Sequence, residues 1–303
     1  MKATGIKAGG AGGATLIGMT AVVMWGATVG LLRSIAEIFG TVGGAALVFS
    51  ASAVFATLAL GVPRWRDMPR AYLWGGGALF VAYEVCLALS LGFAHDRGQA
   101  MELGMINYLW PSLTIVLAVL ARQQRGTWLL WPALALCLAG IVWVLKGQGD
   151  FSVARMWGNV LSNPVAYFLA LLAAFLWAAY SNVTRRFGKG RNAVPLFLLA
   201  TAALLWAQYA ASGEPALVFP LGGVGQVLLL GALTASAYSC WNHGMQYGHF
   251  TLLATGSYFT PVLSALIASL WLGVRPGAGF FAGAAMVTVG SLLCWWATRT
   301  AKA

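Results

Sequence analysis

The chain has 303 residues, of which 60% are hydrophobic and 8% are charged, and its formal net charge is +11. An average soluble domain has about a quarter of its residues charged, so this chain cannot cover a globular surface with polar side chains. The composition excludes an ordinary soluble protein, because segments such as LFLLATAALLWAQYAA (196–211) lack the polar face of a surface helix.

Apolar segments recur along the whole chain, and each is long enough to cross about 30 Å of hydrocarbon as an α-helix. We predict ten membrane-spanning helices and an all-α membrane protein. In chain order the predicted spans are 15–36, 41–62, 71–92, 98–121, 128–146, 164–186, 194–212, 223–246, 250–272 and 277–297. The first span resembles the start of a signal peptide but is too long for one, so we expect it to be retained.

Ten spans place both termini on the same side of the membrane. Of the 18 basic residues, 13 fall on the side of the termini. The other five are Arg33, Arg97, Lys146, Arg155 and Arg275. Basic residues favour the cytoplasmic side, so we predict cytoplasmic termini. The net positive charge is then explained by the membrane topology, and it does not indicate a nucleic-acid partner.

The first and third spans carry the earliest candidate site residues. Trp25 lies in the first span, and Tyr83 lies near the middle of the third, where its hydroxyl needs a partner. Glu84 follows, and a carboxylate at the bilayer centre costs about 2.5 to 3.5 kcal/mol on insertion scales. It could accept a substrate ammonium, carry a proton, or stabilise the bundle as a protonated acid, and the sequence leaves all three open.

The fourth and ninth spans share an internal proline. Residues 105–114 read MINYLWPSLT and residues 255–264 read TGSYFTPVLS, although proline costs about 3 kcal/mol in a helix interior. Pro111 and Pro261 each remove one backbone hydrogen bond, so we predict two kinked half-helices that act as hinges. Kinks at proline also occur without any gating role. The candidate cavity residues here are Asn107, Tyr108, Ser257 and Tyr258.

The sixth span has a mixed aromatic and polar stripe. Trp177, Tyr180, Ser181 and Thr184 recur at helical spacing on one face. Lipid offers no partner for a hydroxyl, so we expect the stripe to face protein or a wet cavity. Helix packing through Ser181 and Thr184 is the alternative interpretation.

The eighth span adds Tyr238 near its middle, with Trp241 and Asn242 one turn later. We expect all three to line the same cavity. His243 can change charge near neutral pH, although a single histidine in an apolar span is also common as a packing residue.

The two halves of the chain repeat one another. An offset of 150 residues aligns the two prolines and also Gly140 with Gly290, while Trp25 matches Trp177. A unit of five helices crosses the membrane an odd number of times. The second unit (149–303) would therefore enter the membrane in the opposite orientation to the first (1–148). Inverted repeats around a midplane site are typical of secondary transporters, and a duplicated bundle without transport is the other interpretation.

Four segments also carry a resemblance to a known family. They read YEVCLALSLG (83–92), GMINYLWPSLT (104–114), GSYFTPVLS (256–264) and GSLLCWWATR (290–299). They resemble the bacterial YddG-type aromatic amino acid exporters of the drug/metabolite transporter (EamA-like) superfamily. The resemblance implies a ten-helix inner-membrane exporter of amino acids, aromatic ones prominent, with another small metabolite or a cationic drug such as paraquat as the alternative. His243 departs from the family pattern, which has an aliphatic residue there.

We therefore expect alternating access of the two halves around a central, aromatic-lined cavity. The expected partners are amino acids and the lipid bilayer, and a monomer is compatible with this architecture. The sequence has no GxGxxG after a strand, no HExxH, no nucleophile elbow and no CxxC, so we expect no cofactor, no metal and no enzymatic activity. The rivals from another class are a channel and an intramembrane enzyme.

Overall fold

The structure is a computed structural model that describes residues 10–122, 125–145, 153–189, 191–248, 253 and 256–299. Within these ranges the chain consists of α-helices with short 3-10 and π-helical turns, and no β-strand occurs there. An all-helical chain suits a membrane, because each helix satisfies its own backbone hydrogen bonds without water.

The α-helices of the described residues follow one another through short connections. They are α1 (Ala11–Gly26), α2 (Thr28–Phe39), α3 (Thr41–Leu60), α4 (Gly77–Phe93), α5 (Arg97–Asn107), α6 (Trp110–Leu120), α7 (Leu130–Leu145), α8 (Val153–Ser162), α9 (Pro164–Phe187), α10 (Val194–Ser212), α11 (Leu221–Tyr247), α12 (Thr260–Leu272) and α13 (Ala278–Arg299). A π-helical turn at Ala71–Gly76 precedes α4 and continues into it.

Eight helical segments of the described chain are long and apolar enough to cross a membrane, so this is a multi-pass membrane protein. They are Ala11–Phe39, Thr41–Leu60, Ala71–Phe93, Arg97–Leu120, Pro164–Phe187, Val194–Ser212, Leu221–Trp241 and Ala278–Ala297. The shorter apolar helices α7 and α12 lie where the sequence predicts the fifth and ninth spans. Parts of those two predictions, residues 146, 250–252, 254 and 255, lie outside the described residues.

The outer faces of the helices are apolar. Leu16, Leu58 and Leu270 are 71%, 78% and 76% exposed, an arrangement that water would disfavour and hydrocarbon accepts. The inner faces instead carry many alanines and glycines, which allow helices to approach closely.

Helices that are distant in sequence pack in pairs. α1 packs on α11, α4 on α9, α3 on α10, and α7 on α13. Each pair joins a helix that begins before residue 149 to one that begins after it. Helices of all these pairs except α7, α10 and α13 contribute residues to the cavity described below.

The predicted interruptions at the two prolines are present. A turn at Tyr108 and Leu109 interrupts the α-helix, and Pro111 lies in the first turn of α6. A break of the same length at Tyr258 and Phe259 precedes α12, with Pro261 in its first turn. Proline is well tolerated there, because the first-turn N–H groups have no partner inside the helix. Motion at these breaks remains a prediction.

A glycine turn joins α2 to α3. Gly40 has a φ of +80°, which a residue with a side chain adopts only with strain. The start of α3 is then capped from far along the chain, because Glu214 accepts hydrogen bonds from the backbone N–H groups of Val42 (3.0 Å) and Gly43 (2.9 Å). These N–H groups otherwise have no partner within α3.

Candidate functional site

A central cavity lies between helices of both halves of the chain. It contains ≈ 670 Å³ of empty volume, including the part open to solvent. The lining residues are Trp25, Thr28, Val29, Leu32, Val48, Phe49, Tyr83, Glu84, Leu87, Asn107, Tyr108, Trp110, Trp177, Leu230, Thr234, Tyr238 and Thr260.

One side of the cavity is formed by an aromatic cluster centred on Trp177. The ring of Trp177 lies 4.6 Å from that of Tyr83, 5.8 Å from that of Tyr238 and 6.2 Å from that of Trp25, measured between centroids. Trp110 also lies 6.2 Å away, with its ring nearly perpendicular. We use "aromatic cluster" for these five residues, which offer an apolar surface of π faces and ring edges.

Glu84 is buried at this cluster, with 6% of its surface exposed. The hydroxyl of Tyr238 donates a hydrogen bond to its Oε1 atom, which joins α4 to α11 across the two halves. A carboxyl group at this depth needs such a donor to offset the loss of water. The Glu84–Tyr238 pair therefore gives the predicted charge of the third span a partner that the sequence does not reveal.

Asn107 lies at the break between α5 and α6 and is 5% exposed. Its side-chain Oδ1 atom has no hydrogen-bond partner among the described residues, although the residue lines the cavity. Pro111 has no N–H, so the backbone carbonyl of Asn107 also lacks the donor that a continuous helix would supply. Unmet acceptors are thus concentrated at this break.

The structure brings half of the predicted site residues to the cavity. Those that line it are Trp25, Tyr83, Glu84, Asn107, Tyr108, Trp177 and Tyr238. Tyr180 and Trp241 do not line it but contact its residues, because their rings lie 5.1 Å from Trp177 and 5.2 Å from Trp25, respectively.

Four predicted residues lie away from the lining. Ser181 donates within its own helix to the carbonyl oxygen of Trp177 at 2.8 Å. Tyr258 is buried in a separate cluster with Ile115, Val116 and Cys294, and neither it nor Ser257 lines the cavity.

His243 is the fourth, and its ring contacts Tyr247 at 5.1 Å instead of the cavity. The side chain of Asn242, another predicted site residue, lies outside what the structure describes.

Sequence reasoning missed several lining residues. Trp110 and Thr260 both line the cavity, and each directly precedes one of the two prolines, at the repeat offset of 150. That shared position is a signal that could have identified them. Thr234 lies one turn before Tyr238 on α11, and helical spacing alone would place the two on one face.

A cluster of charged residues lies at the ends of α2 and α12 and the start of α5. Glu37 accepts from Arg33 Nε (3.0 Å) and from Arg97 Nη2 (2.7 Å). Arg97 also donates through Nη1 to the carbonyl oxygen of Leu272 at 2.9 Å, which ties α5 to α12. We call Arg33, Glu37 and Arg97 the ionic cluster.

A second intramembrane carboxyl group, Glu102, does not line the cavity. It accepts a hydrogen bond from the hydroxyl of Tyr167 on α9 at 2.6 Å. The described residues contain no group of three or more His, Cys, Asp or Glu side chains that could hold a metal ion. The chemistry offered by the cavity is binding, through aromatic surface, hydroxyl groups, one amide and one carboxyl group.

Comparison with known proteins gives consistent similarities. Residues 164–296 match the model of the EamA-like transporter family. The chain is 46% identical over 286 residues to the aromatic amino acid exporter YddG of Salmonella typhimurium and 45% identical to that of Escherichia coli K12, in each case covering 94% of this chain and 98% of the relative. The YddG of Ancylobacter novellus is 30% identical over 84% of this chain and 87% of its own length. A crystal structure with 27% identity matches with a TM-score of 0.66 over 96% of this chain and 99% of that one.

Proposed function

Because the chain belongs to the YddG aromatic amino acid exporters of the EamA-like transporter family, we propose that it exports aromatic amino acids through the central cavity. The observation that carries this proposal is the position of Glu84 and Asn107 beside the aromatic cluster. An aromatic amino acid presents a ring, an ammonium and a carboxylate, and the cavity offers a surface or a partner for each.

The ring of the substrate would pack against the aromatic cluster. Trp177 and Tyr83 contact each other at 4.6 Å and are 7% and 8% exposed, so a substrate ring would pack against their accessible edges and lose part of its contact with water. Burial of aromatic surface is favourable by about 25 cal/mol per Å², and edge-to-face or offset contacts add to it.

The two charged groups of the substrate would bind at different ends of the lining. The ammonium has three donors, and Glu84 and the unpartnered Oδ1 of Asn107 are acceptors. The carboxylate has no basic residue in the lining but can accept from the hydroxyls of Thr28 and Thr234. We assign recognition of the ammonium to Glu84 and recognition of the carboxylate to these threonines.

We further propose that residues 1–148 and 149–303 are inverted five-helix repeats, which makes ten spans with α7 and α12 included. Close contacts between α7 and α13 support this. A Cβ atom on Gly140 would lie 2.7 Å from Gly283 O and 2.9 Å from Val287 N, and one on Gly290 would lie 2.8 Å from Ala133 O and 2.9 Å from Cys137 N. A shift of 150 in residue number turns the first set of contacting residues into the second set. A pseudo-two-fold axis between α7 and α13 would require this correspondence.

The helix pairs agree with the same axis. If the halves are equivalent, α1 corresponds to α9 and α4 corresponds to α11. A rotation about the axis would then carry the α1–α11 pair onto the α9–α4 pair. Both pairs are present. The α3–α10 pair likewise joins the second membrane span of one half to the second membrane span of the other.

Alternating access would then expose the cavity to each side of the membrane in turn. The breaks at Pro111 and Pro261 are the proposed hinges, since α6 and α12 begin there as separate helices. We propose cytoplasmic termini in a bacterial inner membrane, which the 13 basic residues predicted on the side of the termini support. The ionic cluster would then lie at the periplasmic end.

The test is counterflow of labelled phenylalanine in proteoliposomes that contain the purified chain. We expect saturable uptake that internal phenylalanine accelerates, because a carrier reorients faster with substrate than without. Flux that rises linearly with concentration and shows no counterflow would indicate a channel instead.

The variant Trp177→Leu keeps an apolar side chain but removes the ring at the centre of the aromatic cluster. We expect at least a tenfold loss of phenylalanine counterflow at equal protein content. The matched control is Trp74→Leu, since Trp74 is 69% exposed on the outer surface. Equal counterflow in the two variants would contradict the assignment of the cavity.

A further inference from the structure

The lining of the central cavity contains an acidic residue without a basic one to match it. Among the described residues that line it, Glu84 is acidic and none is a lysine, an arginine or a histidine. The ammonium of an amino acid therefore finds a carboxyl group, whereas its carboxylate finds hydroxyl groups and no cation. Hydrogen bonds between ionised partners are about twice as strong as neutral ones.

The arginine nearest in sequence to the lining is engaged elsewhere. Arg33 directly follows the lining residue Leu32, but its Nε donates to Glu37 at 3.0 Å. Its Nη1 donates to the carbonyl oxygens of Gly92 and Ala94 at 3.2 and 2.5 Å. Its guanidinium group is thus bound within the ionic cluster and does not supply the missing positive charge.

The side of the cavity around Glu84 favours a cation in two further ways. The Oδ1 atom of Asn107 is buried without a donor among the described residues, and the ammonium group of a substrate in the cavity is a donor of the kind it lacks. The rings of Trp25, Trp177 and Tyr238 lie 5.7 to 6.2 Å from one another, and their π faces attract a cation that comes within about 6 Å.

We propose that the same cavity also exports primary arylalkylamines, the compounds that aromatic amino acids become when they lose the carboxylate. Phenethylamine, tyramine and tryptamine keep the ring and the ammonium, which the aromatic cluster and Glu84 would bind, and lack the carboxylate, which has no cationic partner in the lining. The inference rests on the proposed function, because one cavity and one conformational cycle move both classes of substrate.

The experiment uses proteoliposomes loaded with labelled phenylalanine and diluted into buffer that contains unlabelled phenylalanine, phenethylamine or 3-phenylpropionate. Acceleration of labelled efflux reports carrier-mediated entry of the external compound, so passive leak of the uncharged amine does not produce the signal. We expect phenethylamine to accelerate efflux with half-saturation at a concentration at least threefold lower than that of phenylalanine. We expect 3-phenylpropionate, which lacks the ammonium, to have no effect.

The variant Glu84→Gln removes the charge and keeps the shape of the side chain. We expect it to raise the half-saturating concentration of phenethylamine at least tenfold, and that of phenylalanine less, since the phenylalanine carboxylate keeps its threonine donors. Glu102→Gln is the matched control, because Glu102 is a carboxyl group in a spanning helix outside the cavity. If Glu84→Gln fails to fold, Asn107→Leu is the second variant. We expect it to raise the half-saturating concentration of phenethylamine.

The outcomes separate the two proposals. Efflux that phenylalanine accelerates and phenethylamine does not would overturn the inference and leave the proposed function intact. If neither compound accelerates efflux, the proposed function fails, and thermal stabilisation of the purified chain decides the inference. A cation site is supported if phenethylamine stabilises the native chain and the stabilisation is lost in Glu84→Gln. Asn107→Leu replaces Glu84→Gln in this comparison if the latter fails to fold. The inference is overturned if phenethylamine does not stabilise the native chain.

Discussion

The hydroxyl of Tyr238 on α11 donates a hydrogen bond to the carboxyl group of Glu84 on α4, and both side chains are buried, with 6% of their surface exposed. The pair spans the two halves of the chain at the cavity. A hydrogen bond to a charged group contributes about 1.5 to 3 kcal/mol, so this bond can fix the direction in which the carboxyl group faces the substrate.

We predict that Tyr238→Phe raises the KM for phenylalanine about tenfold, because the ring remains while the donor that orients Glu84 is lost. The measurement is initial-rate counterflow over a range of phenylalanine concentrations. Tyr180→Phe is the control, since Tyr180 contacts the ring of Trp177 at 5.1 Å but does not line the cavity. An unchanged KM in Tyr238→Phe would show that the pair serves stability alone.

We predict that Glu37→Gln loosens the end of the bundle that carries the ionic cluster. The substitution removes the charge that binds Arg33 and Arg97, and Arg97 is the residue that bonds to Leu272 in the other half. Partly exposed ion pairs contribute about 0.2 to 1 kcal/mol each, so the loss of two pairs would shift a conformational equilibrium by about two- to thirtyfold.

Spin labels on cysteines at His95 and Arg275, in a background without the four native cysteines, would measure this opening. Both positions are exposed near the ionic cluster. We expect a longer or broader distance distribution in Glu37→Gln. Asp67→Asn, an exposed acid in the connection before α4, is the control and should leave the distribution unchanged. Identical distributions in all three proteins would exclude a gating role of the ionic cluster.

We predict that Gly140→Ala and Gly290→Ala each destabilise the protein by about 1 to 3 kcal/mol, the usual cost of overpacking. The added methyl group would lie within 3 Å of backbone atoms of the opposite helix in both cases. Gly225→Ala is the control, because no atom lies within 4 Å of the position of its Cβ atom. Thermal unfolding in detergent is the measurement, and a large loss in one variant without the other would argue against a pseudo-two-fold contact.

We predict that the double variant Pro111→Ala, Pro261→Ala slows counterflow several-fold at saturating phenylalanine, with little change in KM. Alanine restores the N–H at each break and allows a continuous helix, which would stiffen the proposed hinges. Pro164→Ala is the control, since Pro164 is the first residue of α9 and interrupts no span. Turnover equal to that of the native chain would exclude hinge motion at the two prolines.

The sequence was sufficient to predict eight of the spans and the breaks at the two prolines, because hydrophobic length and proline act locally. It did not predict the break at Ala27 between α1 and α2 or the helix α8. It also predicted the cavity positions of Trp177 from the stripe of the sixth span, of Trp25 from its match in the repeat, and of Tyr83 because a hydroxyl at mid-span needs a partner. The repeat misled at Tyr258, since it equates backbone positions and not the neighbours of a side chain. Tyr108 lines the cavity, while its counterpart packs beside Cys294.

The ionic cluster shows a different limit of sequence reasoning. Arg33 and Glu37 are four residues apart on one helix, so helical spacing could have predicted their contact. Arg97 is 60 residues from Glu37, and Leu272 takes part through a backbone carbonyl that any residue type supplies. Contacts of this kind depend on the tertiary arrangement and have no signature in the residue pattern.

The cap that Glu214 places on α3 has a consequence for biosynthesis. The carboxylate that binds the N–H groups of Val42 and Gly43 lies 172 and 171 residues further along the chain. During synthesis Glu214 follows α10 in the chain. Until it has been translated, the N–H groups at the start of α3 lack this carboxylate as a partner. We therefore expect the first half, if synthesised alone, to be less stable than the same residues are in the complete chain.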